Sequence, residues 1–151
     1  IMGTKRVGWA RIRSLINENQ NQLQMRRYRT QTISADTTLT AADAGQIISL
    51  NGATALEVTL PRATSAGLWF RFILSDNTAN VDIIQGDAGD ELVGSVMCLT
   101  NKDTGTGTDT KIRFASGTAL AGDWVEVVSD GSDWLVSGQS AVNSGLIFVT
   151  P

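Results

Sequence analysis

The sequence has no histidine, one cysteine, two prolines and one tyrosine in 151 residues. Without histidine there is no Ser-His-Asp or Cys-His catalysis, no imidazole-ligated metal site and no histidine pH switch. The single cysteine, Cys98, excludes an internal disulfide and any CxxC redox or zinc pair. Long apolar runs are also missing. The longest lies within residues 68–74 and is interrupted by Arg71, whereas a membrane-spanning helix needs about 20 apolar residues. No apolar segment backs the basic N-terminus, so no secretory signal is expected. Val7 stands where a myristoylation signal needs Ser or Thr. The expectation is a chain without a membrane partner.

What remains is 42% hydrophobic and 18% charged, the balance of one ordinary globular domain that needs no disulfide or metal staple to fold. The formal net charge of -3 hides an asymmetry. Residues 1–29 carry seven basic residues (Lys5, Arg6, Arg11, Arg13, Arg26, Arg27 and Arg29) against Glu18, a net of +6. Residues 30–151 carry five basic residues and fourteen acidic ones, a net of -9. The chain therefore divides into a basic arm, 1–29, and an acidic body, 30–151.

The arm has a helical period. Trp9, Ile12, Ile16 and Leu23 fall at a and d spacing, and Asn19 and Arg26 fill the remaining seam positions. Residues 10–27 contain no Gly or Pro and are rich in helix formers. One stripe over barely three heptads is too little for an isolated coil, so the helix needs its own body, copies of itself or a partner. Nucleic acid is a poor fit, because few aromatics are available to stack on bases and the acidic body repels phosphate. No direct nucleic-acid partner is expected.

After Gln31 the helical period gives way to short runs of β-branched and aromatic residues between turn signals. Strands are expected at 32–35, 46–50, 56–60, 68–74, 81–85, 92–99, 111–115, 124–129, 134–137 and 146–149. Asn51-Gly52 and Asp130-Gly131 read as hairpin turns. Residues 101–110, polar and rich in Gly and Thr, read as an exposed loop. Alternation at Leu56, Val58 and Leu60, and at Phe70, Phe72 and Leu74, fits half-buried strands. The segment 68–74 is apolar on both faces apart from Arg71, which marks a central strand or a subunit contact. The expected fold is mainly β: an antiparallel β-sandwich or jelly-roll-like barrel with an N-terminal basic arm containing a helix.

No catalytic constellation stands out. Asp87, Asp90 and Glu91 cluster in one turn but do not have EF-hand spacing, and a solvated turn is the simpler reading. Gly105 and Gly107 lack the third glycine and the helix of a phosphate loop. Cys98 sits in an apolar stretch and reads as a buried thiol. Trp69, Trp124 and Trp134 read as core or inter-subunit packing, with a sugar platform as the alternative. No enzyme activity, metal or cofactor is expected.

Three segments carry a resemblance. They are Ile33-Ser34-Ala35-Asp36-Thr37-Thr38-Leu39-Thr40-Ala41-Ala42-Asp43-Ala44-Gly45, Leu60-Pro61-Arg62-Ala63-Thr64-Ser65-Ala66-Gly67-Leu68-Trp69-Phe70-Arg71-Phe72, and residues 123–138 from Asp123-Trp124-Val125-Glu126 to Val136-Ser137-Gly138. With the opening Met2-Gly3-Thr4-Lys5-Arg6-Val7-Gly8-Trp9-Ala10-Arg11-Ile12, they resemble structural proteins of tailed-bacteriophage particles, most of all small capsid decoration (cement) proteins. The resemblance implies a homotrimer on the virion capsid surface whose partner is the major capsid (coat) protein. It also implies that the role is to bridge coat subunits and stabilise the head. On this reading Lys5, Arg6, Trp9, Arg11 and Arg13 bind the capsid, while Ile12, Ile16 and Leu23 form a stripe for self-association or docking. The alternative is a receptor- or glycan-binding domain of a head or tail fibre.

Overall fold

In a computed structural model, the chain is described for residues 3–24 and 28–150, with side chains inside the helix described for residues 8–19. The arm forms α1 (Gly3–Gln24). It begins earlier than the Gly-free stretch, because Gly3 and Gly8 are both taken into the helix. Twelve strands follow among the described residues. They are β1 (Arg29–Ile33), β2 (Thr37–Thr38), β3 (Gln46–Asn51), β4 (Leu56–Thr59), β5 (Trp69–Asp76), β6 (Val81–Ile84), β7 (Leu92–Met97), β8 (Lys102–Thr106), β9 (Lys111–Phe114), β10 (Trp124–Ser129), β11 (Trp134–Gln139) and β12 (Leu146–Val149).

The strands form two mixed sheets. One has the order β1-β3-β5-β10-β11-β7-β8, the other β12-β9-β6-β4-β2. The first six strands alternate between the sheets. As a result β1, β3 and β5 are parallel neighbours in one sheet, and β2, β4 and β6 in the other. Successive passes are tied at the corners by backbone hydrogen bonds: Leu39 N–H donates to the Thr59 carbonyl at 2.9 Å, and Leu60 N–H to that of Ile84 at 2.8 Å. The later strands add antiparallel pairs, β7 with β8, β10 with β11 and β9 with β12. The mainly β expectation holds. The wholly antiparallel arrangement and the closed barrel do not, since half the ladders are parallel and neither sheet closes on itself.

The alternation read from the sequence places the core. Phe70, Phe72 and Leu74 of β5, Val125 and Val127 of β10, and Leu56 and Val58 of β4 are all buried in one cluster drawn from both sheets. Trp134 is wholly buried in it, and its indole N–H donates to the Pro61 carbonyl at 3.2 Å. Burying a side chain of this kind contributes about 1.5–3 kcal/mol. Cys98 is buried too, with its thiol 3.6 Å from the Leu146 carbonyl.

Two local expectations are overturned. Asn51-Gly52 is not a hairpin turn, because β3 and β4 belong to different sheets. Gly52 is there for close approach: a Cβ on it would stand 2.6 Å from the Asp76 carbonyl oxygen and 2.7 Å from Val81 Cγ2. Residues 101–110 are not all loop. β8 occupies Lys102–Thr106 as an edge strand on β7. Threonine suits a pleated edge, and Lys102 protects it from further pairing. Asp130-Gly131 does close a hairpin, between β10 and β11, with Gly131 at φ 108°.

Candidate functional site: an exposed helix and an uncovered sheet face

At 3.6 residues per turn, Leu15, Ile12, Ile16 and Trp9 occupy an arc of about 120° on α1. Arg11 and Arg13 flank that arc on opposite sides. Such a stripe normally packs against its own domain. Here every described side chain of the helix, residues 8–19, is exposed. Trp9 is 58% exposed, Leu15 54%, and Ile12 and Ile16 48% each. The helix does not lie on its own body over this span. Arg13 covers one side of Trp9, its guanidinium carbon 5.7 Å from the ring centroid. The side chains of Lys5, Arg6 and Leu23 lie outside the described residues. Lys5 and Arg6 fall near the N-terminal end of the helix, which has no acidic residue in its first turn. Positive charge there opposes the helix macrodipole, and an acidic surface against that end would relieve it.

The second feature is the outer face of the seven-stranded sheet. The register lays its outward residues in three rows. The first runs Trp69, Val128, Leu135, Val93. The second runs Ile47, Arg71, Glu126, Ser137, Ser95. The third runs Ser49, Ile73, Trp124, Gln139, Met97. Apolar side chains dominate the two outer rows. Leu135 is 46% exposed and Met97 53%. Tyr28, just before β1, sets its ring edge-on to Trp69 at 6.4 Å. With Ile47, Arg71, Glu126 and Val128 these two rings line a hollow of about 320 Å³.

Arg71 and Glu126 are directly opposite on β5 and β10, with Nε and Oε2 3.5 Å apart. That separation makes an ion pair but not a hydrogen bond, and the enclosed Nε has no hydrogen-bond partner among the described residues. The guanidinium also stacks on Trp124, 4.4 Å from its centroid. The expected grouping of the three tryptophans therefore splits: Trp134 is core, while Trp69 and Trp124 look outward.

Several other carboxylates hold structural contacts. Asp82, on the outer face of the other sheet, receives two 2.7 Å hydrogen bonds from Arg113, and Lys111 lies 3.1 Å away. Burial pushes its carboxyl up, and the Arg113 and Lys111 contacts overcome this and hold it below the usual carboxylate range. Asp123 accepts hydrogen bonds from Leu120 N–H, Ala141 N–H and the Ser140 hydroxyl. In the acidic turn, Asp90 is buried and accepts from Ala63 N–H, while Asp87 pairs with Arg62 at 3.2 Å. Asp90 is thus a loop anchor, not the solvated residue expected. Among the described residues no cluster of three or more carboxylates or thiols has the geometry of a metal site.

Of the residues singled out from the sequence, Trp9, Arg11, Ile12, Arg13 and Ile16 share one exposed helix. The sheet face was missed as a surface. Its one signal was the strand 68–74, apolar on both sides. Comparison with known proteins gives no matching family model, no similar curated protein and no similar solved structure.

Proposed function

We propose that this chain is a structural protein of a tailed-bacteriophage virion that binds the outside of the capsid as a trimer and stabilises the head by bridging coat subunits. We read its body as a β-sandwich, since the two sheets share one core. The observation that carries the proposal is the apolar stripe of α1, exposed through Trp9, Ile12 and Ile16 with no cover from its own body. A helix so presented is an element for docking on something else, and its flanking arginines suit an acidic protein surface. The resemblance of the segments quoted above supplies the identity of that surface as coat protein. The role is non-enzymatic.

The test uses capsids of the cognate phage prepared without this protein. The full chain is expected to co-sediment saturably with them and to raise the temperature at which packaged DNA escapes. A full-length variant carrying Trp9→Ala and Ile12→Ala is expected to bind at least tenfold more weakly, about 1.4 kcal/mol. Equal binding by the variant, or no binding by either chain, would refute the proposal.

The hollow beside Trp69 favours a second reading, a receptor- or glycan-binding fibre domain. Tyr28 and Trp69 offer aromatic faces, and Arg71 and Glu126 offer polar groups beside them. Saturable binding of an oligosaccharide that Trp69→Ala abolishes would select that reading.

A further inference from the structure

From the two uncovered surfaces we infer that α1 of one copy lies across the outer face of the seven-stranded sheet of another, so that each subunit gives its helix to one neighbour and receives a helix from the next. This rests on the self-association in the reading above and not on the capsid.

Four observations converge. First, each chain carries one unpartnered helix stripe and one uncovered apolar sheet face, so a head-to-tail exchange satisfies both in every copy and closes into a ring when the rotation allows. Isolated exposed apolar residues need no explanation, but two apolar rows on one face, Trp69–Val128–Leu135 and Ile73–Trp124, flanking the Arg71–Glu126 pair, do. Second, the dimensions agree. Twenty-two helical residues span about 33 Å, and seven strands about 29 Å between the outermost two. Third, the charges are complementary. The arm is +6 and the body -9, so the arm of one copy is attracted to the body of another. Fourth, the arm leaves the body at this surface, since Tyr28 packs on Trp69 and leads into β1, the edge strand of the same sheet.

The Arg71–Trp124 stack divides the face. On one side is the hollow at Tyr28 and Trp69. On the other is a depression of about 480 Å³ lined by Ser95, Met97, Trp124 and Gln139 among others. Trp9 is the large anchor for such a depression, with Ile12, Leu15 and Ile16 following along the stripe.

The decisive experiment is a complementation assay on full-length chains, read by native mass spectrometry and light scattering. One chain carries Ile16→Asp in the helix. The other carries Leu135→Lys on the face. Trp124→Glu is a second face variant, in case either substitution acts through its particular site. Folding of each is checked by the near-ultraviolet circular dichroism of buried Trp134. The wild-type chain is expected to form a closed oligomer, and each variant alone to associate at least tenfold more weakly. Mixing the two variants is expected to restore 1:1 pairs, because one intact helix still meets one intact face. If Ile16→Asp abolishes association while both face variants leave it unchanged, the helices bundle with one another and the inference falls. A wild-type chain that stays monomeric at every concentration also overturns it. So does an oligomer unaffected by all three variants, or a mixture that forms no pairs. None of these results depends on capsid binding, so failure here and failure of the capsid reading are separable.

Discussion

The guanidinium carbon of Arg71 stands 4.4 Å from the ring centroid of Trp124, on the neighbouring strand of the seven-stranded sheet. The stack holds an indole flat against the outer face, while Glu126 opposite Arg71 balances the charge. This arrangement keeps the face apolar at its margins and ordered at its centre without a covering layer.

The stack itself contributes modestly. A half-exposed cation–π contact is worth about 0.5–1 kcal/mol, and an exposed ion pair about 0–1 kcal/mol. Arg71→Ala is therefore expected to lower unfolding free energy by about 1 kcal/mol in urea titrations. It should also change tryptophan fluorescence, as the Trp124 ring loses its cover. A loss several times larger would mean that Arg71 is a core element and not a surface one.

Asp82 matters more to the fold. Its side chain is 7% exposed, and its cationic partners Arg113 and Lys111 are 29% and 25% exposed. Asp82→Ala would strand both cations in partial burial. Full burial would cost about 3–5 kcal/mol, and their residual solvation lowers the expectation to about 1–3 kcal/mol. The pH dependence has a definite sign. A carboxyl whose folded pKa is depressed contributes stability above its unfolded pKa and loses it as pH falls through the folded value. Unfolding midpoints of the wild type should drop from roughly pH 4 downward, and Asp82→Asn should flatten part of that drop. Identical slopes in the two proteins would contradict this assignment.

Gly52 separates two explanations of one residue. If it served a hairpin turn, asparagine would replace it well, because asparagine tolerates positive φ. The structure instead places the Asp76 carbonyl oxygen where a Cβ would go. Gly52→Asn and Gly52→Ala are both expected to cost about 1–3 kcal/mol, since the obstacle is backbone and cannot rotate away. Thermal unfolding of the two variants decides the matter, and a stable Gly52→Asn would restore the turn explanation.

The Gly52 case also shows what the sequence makes legible. Period-two alternation located the core faces of β4 and β5, because burial of one face is a local property of each strand. Which strand pairs with which is not local. Asn51-Gly52 looks the same whether the chain folds back on itself or crosses to a second sheet, so the parallel passes were invisible. Lys102–Thr106 looks like loop until β7 offers it an edge. The helix stripe was readable from spacing, from Trp9 through Ile12 to Ile16, but its exposure and the share taken by Leu15 were not. The sheet face was not, because Trp69, Trp124 and Leu135 are far apart in sequence and meet only through the β5–β10–β11 register.

The central claim is that the helix docks on neighbours and not on its own body, and amide hydrogen exchange of the full-length chain tests it most directly. Exchange of residues 8–19 is compared at high dilution and at high concentration. Fast exchange on dilution, with protection appearing at high concentration, is the expected result, while the core strands β5 and β10 stay protected throughout. Protection of residues 8–19 that persists at dilutions where light scattering shows a monomer would place the helix on its own body and contradict the claim.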